Sequence, residues 1–493
     1  MIKTTGILLT LLFVSLGRIS AQETFEDAYS DFKQKAKADY EDFRKKANKE
    51  YADWMRKAWE WHKKIEPVPM PKDKMLPPII YKQGKGKKEP KPLPHEEITP
   101  QPEPQPQPKP VAPIREDDGD YKIVKFEFYG TSGEVRLPKD GSFKIKGKDE
   151  KAYAEAWEEL ASGRYDNLIR DCLVLRMEHQ LCDWAYLMML GFMSEEVCGK
   201  GTAESVMMHG FVLCQSGYKI RFGFTKESEL ILLFKSDHLI YDLDGIEMED
   251  GLFYLLQPLK GDGLNICDVS YPEEKPLSLW ISQEQLFSES LSEERLLIQA
   301  DSARTIRVQT NKNWIAFCNS YPTSMIGEDI VSRWAMYANT PMSKRLKSKL
   351  YPQLQDAIKK YEITDAVNAA NWLLYWVQTA FVYEYDDKVW GDDRAFFAEE
   401  TLYYPYCDCE DRSILYSRLI RDLLGLDVIL VFYPGHLATA VAFNSPVDGD
   451  YIELNGKRFT VCDPTYIGAP IGETMPDMDN KTAKVILLKS RIN

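Results

Sequence analysis

The chain has 493 residues, of which 44% are apolar and 28% charged, enough to bury a sizeable core and too apolar for wholesale disorder. Its 62 basic and 76 acidic side chains leave a net charge of −14. That balance excludes a general nucleic-acid binder, because phosphate recognition rests on a basic footprint.

The N-terminus reads as a signal peptide over 1–21: Lys3 supplies the positive start, Gly6 to Gly17 the apolar core, and Ile19-Ser20-Ala21 a small-residue cleavage site. The apolar run is too short for a bilayer, which needs about 20 residues. No cysteine follows it, which disfavours a lipid anchor. The mature chain is expected to be soluble and exported, periplasmic or secreted. Cysteines stand at 172, 182, 198, 214, 267, 318, 407, 409 and 462, an odd count that leaves at least one without an intrachain partner. Most lie in apolar stretches, where free cysteine packs as a small hydrophobe.

Residues 22–64 carry an eleven-residue repeat: Tyr29, Tyr40 and Tyr51; Phe32, Phe43 and Trp54; Ala36, Ala47 and Ala58. Eleven residues make three turns, so the aromatic stripe stays on one face of a long amphipathic helix. It is expected to pack on its own protein, to self-associate or to dock a partner. Residues 65–118 hold 15 of the 28 prolines and read as an extended, semi-rigid spacer. An α+β domain over 119–309 follows, with strands at Lys122–Phe128, Gly133–Leu137, Tyr218–Phe224, Leu230–Phe234, Leu252–Leu256, Leu277–Ile281 and Ile306–Val308 and helices through 151–216. A second domain spans 310–493, helical over 325–384 and closed by a helix-then-strands unit.

The chemistry concentrates in that unit. Leu415, Leu419 and Leu423 recur at i, i+4 and i+8 as one buried helical stripe, and Gly425 stands where a left-handed cap is wanted. Cys409 then opens the helix, where free amides and the helix dipole favour a thiolate. Glu410 and Asp411 oppose that shift, so a partner base is needed. His436 starts the second of two strands separated by Tyr433-Pro434-Gly435, and Asp463 ends a third. Nucleophile, imidazole and orienting carboxylate form a triad if the three meet.

The run Cys409-Glu410-Asp411, its helix, Gly425, His436 and Asp463-Pro464-Thr465 resembles the core of the bacterial transglutaminase-like superfamily. The stretch Trp376 to Tyr383, with Asp386, Trp390 and Gly391, also looks like secreted members of it. The resemblance covers residues 310–493. It implies a papain-like core and acyl transfer without a cofactor, with Cys409 as nucleophile, His436 as base and Asp463 as orienter. The expected substrate is a peptide or protein amide, in the cell envelope as one setting. Asp408 departs from the small residue common before that cysteine. Gln378 and Trp376 are candidate oxyanion donors beside the Cys409 amide.

Other readings compete. Cys407, Cys409, Cys462 and His436 are a candidate zinc set, although Cys-x-Cys fits the usual spacing poorly. A Cys407–Cys462 disulfide is compatible with catalysis, and an idle triad in an envelope-binding scaffold is the non-enzymatic alternative. His62, His95, His179, His209 and His238 show no ligand spacing and read as surface or packing residues. Finally, Gly201 to Gly217 repeats the spacing of Cys409 to Gly425, with Ser205 matching Ser413 and Phe224 matching Phe432. Gly201 takes the nucleophile's place and Ser228 or Glu229 the histidine's, so the middle domain reads as a degenerate copy.

Overall fold

The computed structural model describes residues 40–71, 76–82, 91–97, 107–110, 114, 116, 118–140, 143–299, 305–327, 330–476, 478 and 482–490. The expected signal peptide and residues 22–39 of the expected helix lie outside them. The fold is mixed α+β, with a closed six-stranded barrel in the middle domain and an open seven-stranded sheet in the C-terminal one. No helix among the described residues is long and apolar enough to cross a membrane.

The long helix over 22–64 is not what forms. Helix 40–55 ends where the Trp59 indole N–H donates to the Met55 carbonyl at 2.9 Å, and the chain continues as the strand Glu60–Ile65. That strand pairs antiparallel with Gly263–Cys267 and with Gly245–Met248, closing the barrel. Two unpaired sheet edges outweigh a helical repeat, because each buried edge needs hydrogen-bond partners. Gly263 permits the approach: a Cβ there would lie 2.2 Å from the His62 carbonyl oxygen. The buried face of the helix is Ala47, Asn48, Tyr51, Ala52 and Met55, whereas Tyr40, Phe43 and Trp54 of the aromatic repeat are exposed. Tyr51 packs on Trp157 with ring centroids 4.4 Å apart, and Arg44 clasps Asp166 at 2.7 and 2.8 Å. The helix therefore belongs to the middle domain.

Nor is the proline-rich segment a free spacer. Lys91–Pro92 pairs parallel with Asp450–Leu454, and Glu96–Glu97 pairs parallel with Lys484–Leu487, covering both edges of the C-terminal sheet. Upstream, Ile80 bridges Ile467, and the Leu76 amide donates to the Gly435 carbonyl at 2.8 Å.

In the middle domain the hairpin of Tyr121–Phe128 and Thr131–Pro138 precedes four helices, Glu150–Leu160, Asp166–Glu178, Asp183–Cys198 and Ala203–Gln215. The expected strand Leu277–Ile281 reduces to one bridge, Ser236 to Leu277. Past the short hairpin of Arg295–Ile298 and Thr305–Val308, helices Lys312–Ser320, Ser332–Asn339, Lys344–Lys360 and Ala366–Ala380 lead to Ala398–Tyr403 and Cys409–Leu419.

The two sheets share one strand order. In the barrel it runs Gly245–Met248, Gly251–Leu255, Leu230–Lys235, Ile220–Phe224, Gly263–Cys267. In the C-terminal sheet it runs Asp450–Leu454, Lys457–Cys462, His436–Val441, Val428–Tyr433, Lys484–Leu487. Every neighbouring pair in both series is antiparallel. A helix precedes the first hairpin in each, Ala203–Gln215 and Cys409–Leu419, and packs on that hairpin.

Candidate active site

Cys409 is the first residue of its helix and Asp408 its N-cap, as the dipole argument requires. The helix is not a one-stripe surface helix: every residue from Cys409 to Leu419 is buried. Helices Ser332–Asn339, Ala366–Ala380 and Ala398–Tyr403 and the strand His436–Val441 enclose it. Its arginines work as caps for the neighbouring helices. Arg412 donates to the Gln378 and Phe381 carbonyls at 3.2 and 2.9 Å, and Arg418 to the Ala338 carbonyl at 2.7 Å. Such charge-assisted bonds satisfy helix C-terminal carbonyls that would otherwise be buried bare. Past Leu419 the chain makes a π-turn, Ile420–Leu424, and Gly425 takes the left-handed conformation at φ 64°.

His436 and Asp463 meet. Both are buried, and the His436 Nε2 lies 2.8 Å from an Asp463 carboxylate oxygen. The other Asp463 oxygen accepts the Thr465 and Tyr466 amides at 2.9 and 3.2 Å, so the carboxylate is fixed at both ends. His436 Nδ1 has no hydrogen-bond partner, so the Cys409 sulfur does not bond to the ring. Cys409 Sγ is held beside this ring's strand by the Leu437 amide, and its S–H donates to Glu410 at 3.1 Å. Ser413, one helical turn on, donates to the Leu437 carbonyl at 2.8 Å and pins helix to strand.

Gln378 is a clamp for this site. Its amide N–H groups donate to the Asp463 and Ala469 carbonyls at 2.9 and 3.1 Å, and its oxygen accepts the Gly468 amide at 3.0 Å. With both donors committed, Gln378 does not serve as the side-chain oxyanion donor. Trp376 is buried with its indole N–H unpartnered.

The sequence reading underweighted the acidic surroundings. Asp408, Glu410 and Asp411 are all buried, and Asp386 and Asp393 stand with them. Burial, then Glu410, pushes the Cys409 thiol well above its ordinary pKa. Burial, then the same glutamate, raises Asp386 to about 8, and Asp408 also rises. Asp408 and Glu410 are hydrogen-bonded to each other within this buried acidic cluster. Arg333 pairs with Asp393 at 2.8 Å. Oxygen-rich sets Asp386–Asp408–Asp411 and Asp386–Asp393–Glu410 have the donor chemistry for a hard cation.

The zinc set does not assemble: among the described residues, no metal-competent group includes Cys407, Cys462 or His436. Cys407 faces the Val382 carbonyl and Cys462 the Thr460 carbonyl. None of the nine cysteines is in a disulfide, Cys407 and Cys462 included, and eight of the nine are buried. The segment Leu76–Tyr81 lies along the rim of the site: Leu76 contacts Gly435, next to His436, and its carbonyl accepts from the Tyr383 hydroxyl at 3.3 Å.

In the middle domain the corresponding positions carry no triad. Phe224 and Phe432 both face the helical layer and pair with Leu230 and Leu437 across their hairpins. That register sets Glu229 opposite His436's place, and the ladder to the next strand sets Gln257 in Asp463's. Glycine spacing puts Gly201 in the cysteine's place, and the helix start puts Ala203 there; neither is a nucleophile. Against known proteins, no family model, no curated protein and no solved structure matches this chain.

Proposed function

We propose that the C-terminal domain is a thiol-dependent amide hydrolase or acyltransferase of papain-like, transglutaminase type, acting on a peptide or cell-envelope amide after export. The observation that carries this reading is the bond between His436 Nε2 and Asp463, which leaves Nδ1 without a partner on the strand whose next residue, Leu437, holds the helix-opening Cys409. Cys409 would give its proton to His436 Nδ1 and attack the carbonyl carbon. The C–N bond then breaks, the departing amine takes that proton, and a thioester remains on Sγ. Water or a second amine resolves the thioester. Asp463 holds the ring's tautomer and orientation throughout.

The test is alkylation of Cys409 by iodoacetamide across pH, read by peptide mass spectrometry in wild type and His436→Ala. Labelling at pH 6 that disappears in His436→Ala supports the nucleophile. Labelling that follows an ordinary thiol in both proteins overturns it.

A second reading is a binding scaffold with an idle triad. It is favoured by one feature: Cys409 and His436 are wholly buried, and carboxylates beside the thiol oppose its ionisation. Failure of every amide to acylate Cys409, with envelope binding intact in Cys409→Ala, would select it.

A further inference from the structure

Residues 76–82 meet the C-terminal domain at points that flank the triad. The Leu76 amide donates to the Gly435 carbonyl at 2.8 Å, on the turn that joins Tyr433 to His436. The Leu76 carbonyl accepts from the Tyr383 hydroxyl at 3.3 Å. Burial, then the Cys409 thiol, raises the pKa of that hydroxyl, which sets it in the nucleophile's surroundings. At the far end the Tyr81 amide donates to the Ile467 carbonyl at 2.8 Å, and the Ile467 amide to the Ile79 carbonyl at 2.9 Å. The Tyr81 ring packs edge-on against Tyr466, centroids 5.4 Å apart, and Asp463 holds the Tyr466 amide.

The segment is seated as a docked peptide is. Ile79 and Tyr81 pack with Tyr466, Ala469 and Met475, while Ile80 between them is 72% exposed. That alternation is the period of an extended strand. Main-chain bonds hold such a strand, and alternate side chains are read by the surface beneath. Pro77 and Pro78 have no N–H, so the middle of the segment donates nothing and its hold is light. It is tethered on both sides. Upstream, the Asp242 amide donates to the Val68 carbonyl at 2.9 Å; downstream, Lys91–Pro92 pairs with Asp450–Leu454. A released segment therefore stays close and can return. With it in place, Cys409 and His436 are wholly buried.

We propose that the surface from Gly435 to Ile467 is a binding site for an extended peptide with apolar side chains at alternate positions. Leu76–Tyr81 fills it in cis, and a polypeptide reaches Cys409 only when this segment lifts. The choice of a polypeptide as the incoming ligand rests on the acyl-transfer reading, whereas the occupied surface does not.

The experiment reads the rate of Cys409 alkylation by iodoacetamide at pH 8 in the full chain, by peptide mass spectrometry. Leu76→Pro combined with Tyr81→Pro removes both donated N–H groups and should raise the rate at least about fivefold, the effect of two neutral hydrogen bonds. The peptide Leu-Pro-Pro-Ile-Ile-Tyr-Lys, added at the millimolar level that a short tether supplies, should restore the slow rate. A scrambled peptide should not. An unchanged rate in the double variant overturns the proposal, as does an acceleration that the peptide fails to reverse or that the scrambled peptide reverses equally. Should the double variant fail to fold, seen as lost hydrogen-exchange protection in Val428–Tyr433, Tyr81→Ala decides. It loses the ring contact with Tyr466 and should raise the rate at least about twofold, and an unchanged rate overturns the site. Adding His436→Ala to the released protein separates the two readings. Fast labelling that ignores His436 upholds the occupied surface and sinks the nucleophile. Labelling that depends on His436 but not on the segment does the reverse.

Discussion

The middle and C-terminal domains place the same five strands in the same order beneath a helix, yet differ at every position that bears on acyl transfer. Cys409, His436 and Asp463 in one correspond to Gly201 or Ala203, Glu229 and Gln257 in the other. They also differ in their edges. The barrel is closed by one continuous strand, Glu60–Ile65, while the C-terminal sheet receives two separate two-residue strands around Pro92 and Pro94. Proline offers no N–H to a ladder, so this stretch covers edges without bridging them. The lesson is that strand order and hairpin register set which positions come together, and a few side chains there set what chemistry those positions can carry.

The sharpest way to break the comparison is to mutate corresponding residues. His436→Ala should lower acylation of Cys409 by about 10²–10⁴-fold, the usual contribution of a positioned general base. Glu229→Ala and Gln257→Ala should leave it within about twofold. Equal losses on the two sides would mean that the middle domain shares the chemistry.

Next in size is the edge strand. Gly263→Ala puts a Cβ against the His62 carbonyl and should destabilise the barrel by about 1–3 kcal/mol, as overpacking does. Hydrogen exchange should quicken in Leu230–Lys235 while Val428–Tyr433 stays protected, and loss of protection in both would show that the sheets unfold as one.

The buried acids make the C-terminal domain's stability fall as pH rises. Asp386 stands at about 8 and Glu399 and Glu400 at about 7, each raised chiefly by burial. The folded state keeps protons that the unfolded chain releases near pH 4, so stability is lost between about pH 4 and 8. A thermal melt should move to lower temperature from pH 5 to pH 8, and calcium should oppose the shift if the oxygen-rich set takes up a cation. A flat profile would remove the buried acids as the cause.

The smallest expected effect sits on the thiol. Glu410→Gln removes the nearest charge opposing ionisation and should speed Cys409 alkylation at pH 8 several-fold, since lowering a thiol's pKa raises its thiolate fraction. An unchanged rate would leave burial alone in control of the thiol.

Much of this was legible in the sequence because it is local. The cysteine at a helix start, the left-handed Gly425 and the two hairpins follow from short-range patterns of apolar spacing, turn residues and caps. The meeting of His436 with Asp463 was expected from their places at strand ends, and the 208-residue offset between the two helix–strand units brought Glu229 near the histidine's position. What was not legible depends on residues far apart in the chain. The eleven-residue repeat promised a continuous helix, but the edges that draw Glu60–Ile65 into a strand lie some 200 residues away. The leucine spacing showed one buried stripe, whereas Arg412, Arg418 and Arg421 are buried too, and only the helix ends packed around them explain it. Local spacing determines which elements form, whereas the demand that buried polar groups find partners is settled only when distant segments come together.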